Sequence, residues 1–209
     1  MKYKFVLLLF ALTAIVVPMS AAPTTFVGFL NGPNEEPPVP SPATGSTRVT
    51  IDPVAHTLQV EVDYSGLLGN TTASHIHVIN GPGDLNTADT LGPVATTTPT
   101  FPGFPSGPGS TFGTYDQTFD TLSAGTYRAG FLNDSAALHP ALLNVEAAEL
   151  ELFSAIISGR AYLNVHSTVY PGGEIRDFLQ AVPEPASVGL AAASIAVLAL
   201  LRRRQRSRA

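Results

Sequence analysis

The chain has 209 residues, 44% of them hydrophobic and 13% charged, with a net charge of −5 and neither cysteine nor tryptophan. That composition excludes thiolate catalysis, zinc–thiolate sites and disulfides, and it argues against an indole platform for sugar rings. The two ends hold seven of the eleven basic side chains, so the body from 23 to 182 sets four arginines against fifteen carboxylates, a charge of about −11 that excludes nucleic acid and anionic lipid as partners by general electrostatics.

In chain order, Lys2 and Lys4 precede an apolar stretch over 5–17 and the small residues Ser20, Ala21 and Ala22. This pattern predicts a secretory signal peptide over 1–22. Residues 24–30 are rich in β-formers and end at Asn31-Gly32-Pro33-Asn34. A short strand is expected over 47–51. Residues 57–64 alternate, with Leu58, Val60, Val62 and Tyr64 opposite Gln59, Glu61 and Asp63, as a half-buried strand does. Residues 71–79 place Ile76 and Val78 opposite His75 and His77. The stretch 80–110 is rich in Gly, Pro and Thr, and 96–109 is expected to be a mobile surface excursion. Strands are expected over 111–119 and 125–132. Good helix formers over 146–157, stopped by Ser158-Gly159, predict one short helix. Strands over 161–166 and 174–179, joined through Tyr170-Pro171-Gly172-Gly173, close the domain. Short strands with Gly/Pro turns predict an all-β domain over 23–182, an antiparallel β-sandwich or barrel.

The last twenty-seven residues have a different character. Pro183-Glu184-Pro185 leads into an apolar run over 188–201, and Arg202, Arg203, Arg204, Arg206 and Arg208 follow. Fourteen residues make a helix of roughly 21 Å, short of the ~30 Å hydrocarbon core, which suits a temporary anchor with its arginines left in the cytoplasm. The order resembles the PEP-CTERM sorting tail of Gram-negative bacteria. That resemblance implies an exosortase and the secretion machinery as partners, and transient anchoring in the inner membrane. It also implies delivery to the cell surface or to an exopolysaccharide, biofilm-type matrix.

Six further segments stand in order through the body. They are Phe29-Leu30-Asn31-Gly32 with Asn34-Glu35-Glu36-Pro37-Pro38-Val39; Ser41-Pro42-Ala43-Thr44-Gly45; Tyr64-Ser65-Gly66-Leu67; Ala73-Ser74-His75-Ile76-His77; Gly159-Arg160-Ala161-Tyr162-Leu163-Asn164-Val165-His166-Ser167; and Pro171-Gly172-Gly173-Glu174-Ile175-Arg176. Together they resemble the CHRD domain, first described in chordin. Ser167 and Asp177 depart from the Thr and Gly usual at those places. The resemblance implies an immunoglobulin-like or superoxide-dismutase-like β architecture and no established enzymatic activity.

Residues two apart on a strand share a face. His75 with His77, Asn164 with His166, and Glu174 with Arg176 would therefore form one polar face if their strands are neighbours. Imidazoles so placed suit copper or zinc, with His75, His77 and His166 as ligands and Glu174 as a fourth or as a carboxylate orienting a ring. Asn164 and Arg176 would support them, Arg176 by pairing with Glu174 or another acid. A buried polar network without metal is the other reading of the same residues. His56 and His139 have no matching spacing. The Asn34-Glu35-Glu36-Pro37-Pro38 turn reads as a solvated loop of proline-fixed geometry. The leading expectation is a non-enzymatic structural or adhesive module, with matrix polysaccharide or surface proteins as neighbours. The rival is a copper- or zinc-binding protein, with redox activity as an option.

Overall fold

The structure is a computed structural model that describes residues 22–84 and 91–182. Apart from Ala22, the expected signal peptide lies outside these residues, as do Pro183, Glu184, Pro185, the expected anchor over 188–201 and the arginine-rich end. Among the described residues no helix is long and apolar enough to cross a membrane.

Eight strands form one mostly antiparallel sheet: β1 (Thr24–Asn31), β2 (Thr44–Asp52), β3 (Thr57–Ser65), β4 (Thr71–Val78), β5 (Gly113–Asp120), β6 (Ala161–Ser167), β7 (Ile175–Phe178) and β8 (Gln180–Ala181). The order is β4-β6-β7-β1-β2-β3-β5, with β8 beside β1, and the sheet curls into a half-barrel. The alternation seen in the sequence sets the curvature's inner face. Leu58, Val60 and Val62 of β3 meet Val49 and Ile51 of β2, Phe26 and Leu30 of β1 and Ile76 of β4, all buried. The strands close at one end of the domain, where Phe26 and Val27 pair with Ala181 and Gln180 and Val182 N donates to Thr25 O at 3.1 Å.

Among the described residues two α-helices accompany the sheet, α1 (Ala129–Leu138) and α2 (Asn144–Ile157). The second lies where the sequence predicts it. Glu146 accepts from Leu143 N at its start, and Ala148, Leu152, Ala155 and Ile156 are buried. The first replaces the second half of the strand expected over 125–132, and a 3-10 turn takes up its start. Tyr127 makes only an isolated bridge to Thr96 before α1 begins, with Phe131 buried in the core. A short apolar run carries no period that separates strand from helix, and packing against α2 decides.

Residues 96–109 are the larger departure. Instead of a surface excursion they form an irregular rim along β4, with Thr96 N donating to Ile76 O, Phe101 N to Ser74 O and Gly107 N to Thr71 O. Phe101 and Phe104 are 1% and 4% exposed and lie against Tyr115 of β5, at ring separations of 5.9 and 5.0 Å. The segment therefore bridges the two open edges of the half-barrel, β4 and β5, and satisfies an edge that would otherwise invite pairing. Phe101→Ala is expected to destabilise by roughly 3–5 kcal/mol, and Phe29→Ala, at an exposed position, by about 0.5 kcal/mol or less, in urea unfolding. Equal small losses would mean that the segment does not belong to the core.

Candidate metal centre

The strand pairing builds the site. In the β4–β6–β7 register His75 faces Asn164, which faces Arg176; His77 faces Tyr162, which faces Phe178; and Ala73 faces His166. Ile76, Leu163 and Ile175 point to the apolar core, so the polar set occupies the opposite side of the same strands. That side is also enclosed: every residue of β6 is buried. Three connecting segments cover it and aim backbone carbonyls at it. Gly92 O accepts from His77 Nδ1 at 2.7 Å, Pro171 O from His166 Nδ1 at 2.8 Å, and Asn34 O from Arg176 Nε. Only glycine fits at 92, where a Cβ would strike the carbonyl of Val78.

His75, His77 and His166 come together, with one ligand nitrogen from each lying within 4.8 Å of the others. His75 is central, its ring 4.7 Å from each of the other two. Its Nδ1 and the Nε2 of His77 are enclosed and have no hydrogen-bond partner. Leaving such atoms unpaired costs about 1–3 kcal/mol each. Because carbonyls can only accept, His77 and His166 carry their protons on Nδ1, and Nε2 presents a lone pair. Burial drives His75 down to about 2, helped by the two neighbouring rings, and His77 down to about 4; it also lowers His166. The three rings are neutral, the form in which imidazole binds a metal. Tetrahedral coordination at 2.0–2.1 Å sets nitrogens about 3.4 Å apart, so the longest edge must shorten by roughly 1.4 Å.

Glu174 does not join them. Its carboxylate accepts from Ser41 Oγ at 2.6 Å, from Leu68 N at 2.7 Å and from Ser167 Oγ, a set of donors that holds it away from the rings. It also orients no imidazole, since carbonyls do that. Nor does Arg176 pair with it. The acid beside Arg176 is Glu35, 3.8 Å from its Nε, and both are almost fully buried. The turn read as a solvated loop thus delivers a buried carboxylate. Burial raises Glu35 to about 7 against the pull of Arg176. Gly173 makes room for it: with φ at +133°, a Cβ there would come within 2.5 Å of Glu35 Oε1. The Arg176 guanidinium also lies 4.8 Å from the centre of the Tyr162 ring, which stacks on His77 at 4.6 Å. Its charge opposes a cation at the histidines, and Glu35 offsets that charge. His56 and His139 sit apart, bound to Glu149 and Glu151 of α2.

The sequence reasoning missed Glu35, Ser41 and Ser167. The available signal was that Asn34-Glu35 and Ser41 stand within the same motif series as the histidines. A family model of the CHRD domain matches residues 26–179. The chain belongs to the CHRD-domain family. No curated protein and no solved structure gave a match. The matched span contains the histidine group, its covering segments and the Glu35–Arg176 pair, so the centre described here lies wholly inside the CHRD domain.

Acid unfolding checks the neutral state of the rings. Unfolded histidines titrate near 6.5, so as pH falls from there the unfolded chain takes up protons that the native rings refuse; stability present above pH 6.5 is lost toward pH 4. Glu35 acts in the opposite sense. Its raised value adds stability that is full below 4.5 and is lost as pH rises through about 7. Three groups against one leave a net loss on acidification of roughly 1.4 kcal/mol per net proton and pH unit. The expected unfolding free energy in urea falls between pH 7 and 5, and Glu35→Gln steepens that fall. A flat profile would show that the rings titrate as they do in water.

Proposed function

We propose that this protein is an exported, non-enzymatic metal-binding module that takes up one copper or zinc ion on His75, His77 and His166. The observation that carries this reading is the pair of enclosed, unpartnered nitrogens, His75 Nδ1 and His77 Nε2, converging with His166. A purely structural network would be expected to satisfy those atoms, as it does the carboxylate of Glu174. Three imidazoles without thiolate suit copper and zinc, and copper binds such donors more tightly. The N-terminal segment and the tail support export across the inner membrane, with exosortase handling the chain before it reaches the cell surface or matrix. There, polysaccharide and surface proteins are its neighbours, and the structural or adhesive role is to hold the metal in place among them.

Metal-free protein titrated with copper and with zinc is expected to bind one equivalent of either, copper more tightly. His75→Ala, His77→Ala and His166→Ala should each weaken binding by more than the roughly 10–100-fold that losing a supporting residue costs. Thermal unfolding without metal checks that the variants fold. Wild-type binding no tighter than about millimolar would end the metal reading and leave the structural or adhesive module.

A further inference from the structure

Asn164 stands among the three histidines rather than behind them. It is 2% exposed, lies directly across the ladder from His75, and shares the face of His166. Its amide oxygen, Oδ1, lies 3.0 Å from His166 Nε2. One amide thus stands beside His75 across the ladder and against His166 along the strand.

The acceptors at this point do not balance. His166 gives its Nδ1 proton to Pro171 O, so its Nε2 can only accept, yet it faces an amide oxygen that also only accepts. The enclosed Nε2 of His77, whose Nδ1 proton goes to Gly92 O, presents a second lone pair with no partner. A cation would satisfy these acceptors at once, the amide oxygen among them.

We propose that Asn164 is the fourth donor of the metal centre, presenting its Oδ1 to a divalent ion held by His75, His77 and His166. This rests on the metal reading above. The resulting set is three neutral imidazoles and one neutral amide, filling a tetrahedron. A filled tetrahedron leaves no position for a substrate or an activated water, which is the pattern of a structural rather than a catalytic zinc site. Asn164 is then the residue that keeps the centre a binding site.

The test uses the purified protein and compares wild type with Asn164→Leu, which keeps the approximate shape without a donor, and Asn164→Asp, which supplies an anionic oxygen. Zinc affinity is read by competition with a chromophoric chelator, the ligand field by the electron paramagnetic resonance spectrum of bound Cu(II), and folding by metal-free thermal unfolding. Asn164→Leu is expected to weaken zinc by roughly tenfold or more and to change the Cu(II) spectrum. Asn164→Asp is expected to bind zinc more tightly than wild type, also with a changed spectrum. If Asn164→Leu does not fold, Asn164→Asp decides. Wild-type affinity and an unchanged Cu(II) spectrum in the folded variants would overturn this inference and leave the three-histidine site standing. A wild type that binds neither ion would overturn both.

Discussion

The pairing register of β4, β6 and β7 is the constraint on which the rest of this molecule depends. It places His75, Asn164 and Arg176 in one row and His77, Tyr162 and Phe178 in the next. A slip of one residue in β6 would turn Leu163 and Val165 toward the histidines and bury Asn164 and His166 in the apolar core. Neither face of these strands could accept the exchange. The apolar side has Ile76 and Ile175 at zero exposure, and the polar side has its carbonyls already committed to particular nitrogens. Core packing and polar arrangement therefore specify the same register.

The polar side is an expensive arrangement to keep. It confines neutral imidazoles with unpaired nitrogens, and beside them a guanidinium and a carboxylate that burial strips of water. Replacing such groups by well-packed apolar ones is often neutral or stabilising. A fold that needed only a second packed layer could have used leucine. The covering segments reinforce the point, because Gly92 and Gly173 are required where a side chain would push the cover away from His77 or Glu35. The backbone is shaped around the polar groups.

Much of this was visible in the sequence, and the limits of that view are physical. Alternation along β3 and the His-x-His of β4 report which side chains share a face, because a strand repeats every two residues. Which faces meet depends on strand order, and β6 lies between β4 and β7 although far more of the chain separates it from β4. Glu174 illustrates the difference. Its parity with Arg176 suggested the histidine face, but it precedes β7, and its carboxylate goes to Ser41, Leu68 N and Ser167. Glu35 was hidden for another reason: proline-rich turns are ordinarily solvated, and only the fold brings this one over Arg176. Phe101 and Phe104 lacked any regular spacing within a Gly- and Pro-rich segment, so no pattern showed that they complete the core.

The bond from Val182 N to Thr25 O has a mechanical consequence. The two ends of the described domain leave from the same point, so a load applied between them would peel the short β8–β1 ladder one bond at a time. The histidines lie on β4 and β6, with β7 between them and β1. Tension between those two ends would be relieved in that ladder before it reached the rings, leaving the histidine centre mechanically insulated.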